Sequence, residues 1–551
     1  MTHLADGFVA HALQNSDQLA IGFLDGQFSG DSSPKVQLRT CTYGELLTAA
    51  QKVAAIVAPL VQNKQNQAER MAGLNPVLQN TVRIGLLLPN CPEFLEIFLG
   101  VTIAGGVAMV FDPKWTLDQV QQVIGRSAPA LVFVASEWVA QIEKSFPNLP
   151  LICVPQRPEA EEATAIGNIR PKSQTPAAKR QNLCSVTSEV SGRESSEASN
   201  TPFYVGFTSG TTGIPKGVVR SHQSWVNSFA ASQIEFGTCA ADRILVPGSL
   251  THSLSLYTAL ECLNAGATLY LLPKFSAKAV LRLLDSQQIT VLVAVPALLK
   301  PIAKQIISQT LTCPALRTVI AGGSKLDLSL RSELPLAFPT AEILEYFGAL
   351  ELSFISLATS REAVPPDSVG RSFQGVELSI RQLDGAGEAA IGEVGWVGVK
   401  SQMFSLGYLE QVESSESGYR VVDGWATVGD LGWQDAKGYL HLVGREQDMI
   451  LSGGINIYPA EVETVLCSLP EVADAVVVGI PDGDRGQVVG AAIQWVGAPL
   501  SRSELLHRLR TQLEPTKFPR YVITVDQFPT TSTGKVRRSV VREQIVGAVK
   551  N

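Results

Sequence analysis

Phe207-Thr208-Ser209-Gly210-Thr211-Thr212-Gly213-Ile214-Pro215-Lys216-Gly217-Val218 is the stretch from which the rest of the chain is best read. Thr208 to Gly213 are small or hydroxylated and have almost nothing to bury. Their glycines allow sharp turns and bring backbone N–H groups close to an anion. The hydroxyls donate to phosphate oxygens, and Lys216 adds a mobile positive charge. A plain Ser/Gly linker would have the same composition. This one, however, lies between an apolar run, Phe203 to Phe207, and the strand-like Val218-Val219. The Gly-Lys-Ser/Thr order of a P-loop is absent. The stretch therefore reads as a phosphate-gripping loop of another kind, held on a β framework.

Outward from the loop, short apolar runs alternate with helical patterns. Arg83 to Leu88 reads as a buried strand and Pro92 to Gly105 as a helix ending at a glycine pair. Further strands are expected at Val107 to Phe111, Leu131 to Val134, Leu151 to Val154, Arg243 to Val246, Thr268 to Leu272, Val291 to Val295 and Thr318 to Ile320, with a helix around Tyr257 to Leu263. That alternation predicts α/β layering over a largely parallel sheet. From about Trp396 the texture turns β-rich, and after Ile450 a compact α+β pattern begins. The expected plan is an α/β protein: a large N-terminal domain of layered subdomains plus a β-rich subdomain over 1–444, a hinge at 445–448, and a small mobile C-terminal lid over 449–551. Gln62 to Asn75 looks loose. Gln156 to Asn200, rich in Pro, Ser, Glu and Lys, reads as an insertion.

Bulk properties narrow the class. With 551 residues, 45% hydrophobic and 17% charged, the chain suits a multi-domain globular protein. A net charge of -7 argues against broad nucleic-acid binding. The 8 cysteines are scattered with no metal-type spacing, as expected of reduced thiols in a cytoplasmic protein. No secretory signal and no uninterrupted apolar run of roughly 18 residues is visible, so no transmembrane segment is expected.

The loop resembles the signature of the AMP-binding, or adenylate-forming, superfamily, which includes acyl-CoA synthetases. Other segments resemble its motifs in the right order: Thr42 to Leu46; Leu88 to Glu93 with Ala104-Gly105-Gly106; Ala321 to Leu326; Tyr346 to Glu351; Gly407-Tyr408; Val428-Gly429-Asp430; Gly444-Arg445 with Asp448; Ser452 to Glu461; and Thr531 to Lys535. The resemblance implies a reaction and a set of roles. ATP would be held by Thr208, Ser209, Gly210, Thr211, Thr212, Gly213 and Lys216, by Gly323 and Ser324 of an adenine-pocket turn, and by Tyr346, Phe347 and Gly348. Asp430 and Arg445 would bind ribose or phosphate. Glu351 would hold Mg²⁺, and Lys535 would swing in to stabilise charge in the transition state. Gly453 and Gly454 would let the pantetheine arm of CoA pass. Two positions depart from the family's Tyr-Gly-x-Thr-Glu pattern: Phe347 stands for Tyr, and Leu350 stands for Thr and removes a hydroxyl.

Amino-acid-activating members place an aspartate in the segment equivalent to Pro247 to Tyr257. Here that segment carries no acid and leads into an apolar helix, so an apolar acid without an amine is expected. His252 is similar to the gate residue near the acyl pocket of acyl-CoA synthetases. The expected function is a fatty-acid–CoA ligase using ATP and CoA. Loading of an acyl carrier protein or activation of an aryl acid is the alternative within catalysis, and a non-catalytic nucleotide-binding relative the alternative outside it.

Overall fold

Fully apolar runs flanked by turns become the central strands, as buried parallel sheets require. The computed structural model describes residues 3–25, 37–63, 74–155, 200–208, 214–384, 387–410, 418–530 and 536–550. It divides into two units: Met1–Ala363 with Phe373–Val376 and Ser401–Glu413, and Val364–Ser372 with Glu377–Lys400 and Ser414–Asn551.

In the first unit the strands are β1 (Leu19–Asp25), β2 (Gln37–Thr42), β3 (Arg83–Leu87), β4 (Val107–Phe111), β5 (Leu131–Ala135), β6 (Leu151–Val154), β7 (Pro202–Thr208), β8 (Lys216–Ser221), β9 (Arg243–Val246), β10 (Thr268–Leu271), β11 (Val291–Ala294), β12 (Thr318–Ala321), β13 (Glu342–Ala349) and β14 (Ser353–Thr359). One sheet runs β6-β5-β3-β4-β7-β8 and is parallel until the antiparallel β7/β8 pair. The other runs β14-β13-β12-β11-β9-β10-β1-β2, with antiparallel pairs only at β13/β14 and β1/β2. The expected α/β layering is borne out, and most strand bounds agree with the sequence reading to within a residue.

The first motif turns out to be a helix start. Thr42 and Glu45 form a capping box on the helix Tyr43–Gln62. This is the one described helix long and apolar enough to cross a membrane by length and composition. Its buried stripe, with Leu46, Ala50, Val53 and Val57, has the helical period of a core-facing element. The helix also makes dense contacts with the helix Pro92–Ile103.

The second unit is β-rich over 395–445. There Trp425–Thr427 and Asp430–Gln434 each pair with Gly395–Ser401, and Asp430–Gln434 pairs onward with Leu440–Arg445. After Ile450 a long hairpin, Val472–Asp482 with Gly486–Trp495, carries the helices Pro459–Cys467 and Arg538–Lys550. Val462, Leu466, Val477, Leu505 and Leu509 share one core there. The helix Arg502–Leu509 supplies Leu505 and Leu509 to that core.

Candidate active site

Of the phosphate loop, Thr208 and Lys216 are described; Ser209, Gly210, Thr211, Thr212 and Gly213 lie outside the described residues, as does Lys535. Thr208 and Lys216 face each other across β7/β8, so the pair of strands brings both ends of the loop to one sheet edge. The segment 405–409 runs beside the same edge. Val219 N–H donates to Gly407 O at 2.9 Å, and Leu409 N–H donates to Gly217 O at 2.7 Å. That segment delivers Tyr408, whose hydroxyl donates to Glu351 Oε1 at 2.8 Å. Ser405 N–H donates to Glu351 O at 2.8 Å. Glu351 is 9% exposed. Its carboxylate is thus aimed and nearly buried beside the loop's strands.

Arg220 locks this arrangement. It is buried on β8 and donates to Leu350 O at 2.6 Å, to Met403 O at 2.7 Å and to Ser224 Oγ at 3.2 Å. The unusual Leu350 is explained by packing. A Cβ on Gly206 of β7 would lie 2.4 Å from Tyr204 Oη and 2.9 Å from Leu350 Cδ2, so the leucine and the tyrosine together cover that glycine's face. A threonine there would offer its hydroxyl instead.

Gly323 has φ +86°, and the turn that follows β12 exposes Gly323 and Ser324. A Cβ on Gly322 would lie 2.4 Å from the Tyr346 ring, so only glycine lets that ring lie on the turn's backbone. Buried Glu345 holds the same turn: it accepts from Leu326 N–H at 2.7 Å and pairs with Arg331. Tyr346 faces inward, edge-on to Phe354 at 4.9 Å. Phe347 and Gly348 continue β13 at half-buried positions.

His252 opens the helix Ser253–Asn264. Asn90 fixes the loop before it, donating to Gly248 O and Leu272 O and accepting from Leu250 N–H at 2.7 Å. Burial lowers the His252 pKa; Asp112 opposes this and Lys114 adds to it, so the ring is neutral at pH 7. Asp112 Oδ2 is buried without a hydrogen-bond partner among the described residues. The helix that follows His252 lines a narrow cleft of about 10 Å³, with Phe236, Leu254, Tyr257, Val293, Ile320 and Phe354 around it, and also Glu261. The acid-free wall expected from Pro247 to Tyr257 therefore gains a carboxyl one turn further along the helix.

In the second unit Asp430 and Arg445 are register partners in adjacent strands, and Arg445 Nε donates to Asp430 Oδ1 at 3.1 Å. Asp430 begins a strand, directly after the turn at Gly429 (φ +79°). Gly453 and Gly454 have φ +57° and +84° and open space where a Cβ would stand. Next to them, Ser452, Arg485, Arg502 and Arg520 line an open cavity of about 350 Å³. The flanks of the Lys535 segment are fixed: Thr530 bridges Val536. Arg538 donates to Glu463 at 2.5 Å and to Val477 O at 2.7 Å.

Arg220, Glu261, Glu345 and Asp112 were missed by sequence reasoning. Their one signal was an acid or base inside an otherwise apolar element, a pattern that does not say what it faces.

The order of motifs along the chain has an independent counterpart. The sequence model of the AMP-binding enzyme family matches residues 32–409, and that of the AMP-binding enzyme C-terminal domain matches 461–535. The chain belongs to the AMP-binding enzyme family. The uncharacterized acyl–CoA ligase YhfT of Bacillus subtilis is 32% identical over 471 residues, covering 85% of this chain and 89% of that protein. The long-chain-fatty-acid–CoA ligase FadD13 of Mycobacterium tuberculosis is 29% identical over 471 residues, with 85% and 89% covered. The crystal structure of ATP-bound MatB from Rhodopseudomonas palustris shares the fold, at TM-score 0.77, 24% identity and 98% coverage of both chains.

Proposed function

We propose that this chain is an ATP-dependent carboxylate–CoA ligase whose acid is a fatty acid. The observation that carries the reading is the cleft: its lining is mostly apolar, and it starts with Leu254, two residues along the chain from His252. A hydrocarbon chain gains burial there, at roughly 25 cal/mol per Å² removed from water.

In the first half-reaction a carboxylate oxygen of the acid attacks the α-phosphorus of ATP. The bond to the bridging oxygen breaks, and pyrophosphate leaves. In the second, the thiol of CoA attacks the acyl carbon, AMP departs with the electron pair, and the thiol proton goes to solvent. Lys216, with the loop from Thr208 to Gly213, would hold phosphates, and Gly323, Ser324, Tyr346, Phe347 and Gly348 would frame the adenine side. Asp430 with Arg445 would bind the ribose. Lys535 would neutralise charge on the reacting oxygens. His252 would gate the acyl entrance. Residues 445–448 would be the hinge on which the C-terminal domain turns as a lid. Gly453 and Gly454 would admit the pantetheine arm, and the neighbouring arginines suit the phosphates of CoA.

The donor set fits magnesium carried on ATP. Mg²⁺ takes one or two carboxylates plus phosphates and water. Glu351 is such a carboxylate, and no cluster of three metal ligands exists among the described residues. When bound, the ion would neutralise phosphate charge. The free cysteines among the described residues fit a reducing compartment, and we place the enzyme in the cytoplasm.

Pyrophosphate release from a panel of acids, with and without CoA, tests the reading. Fatty acids should support release, with CoA consumed. Turnover only with a phosphopantetheinylated carrier protein would favour that acceptor instead. Lys535→Ala should abolish acyl-AMP formation; near-normal release in that variant would sink the mechanism.

A further inference from the structure

Glu261 is the group in the cleft that a pure hydrocarbon would leave unserved. Leu254, Tyr257, Thr258 and Glu261 fall on one face of their helix, at the i, i+3, i+4, i+7 spacing. That face looks across to Val293, Ile320, Tyr346 and Phe354 on β11 to β14. Glu261 is 5% exposed. Its Oε1 accepts from Ser232 Oγ at 2.5 Å, and Tyr257 Oη lies 2.8 Å from the same Ser232 oxygen. The hydroxyls therefore form a chain, Tyr257 to Ser232 to Glu261. Among the described residues none bonds to Oε2 and no cation faces the carboxyl. The titratable groups around it are Tyr257, Tyr346 and Cys262, all kept protonated by burial, with Arg220 acting on Tyr257 from β8. A purely structural position on an apolar helix would hold a leucine, because a carboxyl is costly to bury; Oε2 is not among the buried atoms without a partner, in keeping with its lying at the cleft.

We propose that Glu261 is a specificity-determining residue that selects acids bearing a hydroxyl on the acyl body, about 10 Å inward of the cleft entrance, seven helical residues from Leu254. The inference rests on the reading that this cleft takes the acyl group with its carboxyl at the His252 end. A hydroxyl is neutral and both donates and accepts, so it can pair with Oε2 whether or not the carboxyl is ionised. The rings of Phe236, Tyr257, Tyr346 and Phe354 then pack the carbon on either side. Sites built around such a polar partner reject analogues that lack it far more strongly than apolar pockets reject an extra methylene. Burial pushes the Glu261 carboxyl up to about 7, with the Ser232 hydrogen bond opposing. The pairing therefore strengthens as pH rises through that value, since an ionised acceptor makes the stronger bond.

The test compares matched acids in the full chain, by pyrophosphate release with ATP and CoA. One pair is a medium-chain fatty acid and its ω-hydroxy derivative; the other is phenylpropanoate and its para-hydroxy derivative. The wild type should favour the hydroxylated member of one pair by at least about tenfold in kcat/KM, and which pair it is tells a chain from a ring. Glu261→Leu should reverse that ratio. Glu261→Gln, which is isosteric, should keep a preference but lose its rise between pH 6 and 8. Ratios near one in the wild type for both pairs, or a ratio unchanged by Glu261→Leu and a pH profile unchanged by Glu261→Gln, would overturn the inference while leaving the ligase reading intact. Stronger use of the ω-amino analogue than of the hydroxy acid would replace the hydroxyl with a cation and overturn it as well. No release from any acid would remove the ligase reading and this one together.

Discussion

Tyr408 and Glu351 carry the sharpest expectation for a single side chain. A hydroxyl at 2.8 Å aims the carboxylate that we assign to ATP-bound magnesium. Removing a hydrogen bond to a charged group costs about 1.5 to 3 kcal/mol. Tyr408→Phe should therefore lower ATP–pyrophosphate exchange by roughly tenfold to a hundredfold, and Glu351→Gln should lower it further. An unchanged rate in Tyr408→Phe would show that the tyrosine is not orienting the carboxylate. Leu350 offers the reverse experiment. Its side chain shares the face of Gly206 with Tyr204, so Leu350→Thr exchanges part of that contact for a hydroxyl beside the loop. Faster exchange in this variant, with a lower melting temperature, is the expected outcome. The Glu351 position was legible from the motif alone. Its partners were not, because Tyr408 lies 57 residues away and only the 405–409 segment running beside β8 brings it near.

One buried and one half-buried arginine decide how elements are held. Arg220 joins β8 to the carbonyls of Leu350 and Met403. Arg220→Met would strand those acceptors and should destabilise the first unit by about 2 to 4 kcal/mol, read as a drop in thermal unfolding midpoint. Arg538 does the same for the C-terminal helix. Burial works against its charge, but the hydrogen bond and attraction of Glu463, with Asp448, raise its pKa overall. Arg538→Ala should loosen the helix Arg538–Lys550, seen as faster proteolytic cleavage near residue 536. Periodicity predicted the elements well because apolar spacing is a local property. It could not rank Arg220 or Glu345, because a charge within an apolar strand looks the same whether it meets water or a carbonyl. The capping box at Thr42 shows the opposite case: a segment noticed as a family motif is also a plain helix-start signal.

Across the whole molecule, buried titratable groups set the pH response. The folded-state pKa of Glu261 lies near 7, above its ordinary value of 4.5. A raised carboxyl contributes fully below the unfolded value and loses that contribution as pH rises through the folded one. Glu261→Gln should therefore be more stable than the wild type at pH 8, by up to about 3 kcal/mol, with the difference vanishing near pH 4.5. Denaturant midpoints at the two pH values check this. Buried His222 and the half-buried His3 and His252 act in the other direction. Burial lowers each of them, so their contribution is present above 6.5 and is lost on acidification. The fold class, the strand order of motifs and the family were readable because they are written as contiguous runs. The polar end of the cleft was not, since it exists only where one face of a helix meets four strands.

The route from β6 to β7 has a practical side. The chain leaves one edge of its sheet and re-enters four strand positions away, past β5, β3 and β4. At about 4.8 Å per strand that is roughly 19 Å, a distance that a dozen residues span with ease. The sequence spends about 45 on it. Most of that length is therefore surplus to topology. A shortened version, or one carrying a fluorescent reporter there, should keep the sheet's strand order, which makes this crossover the natural place to tag or trim the enzyme.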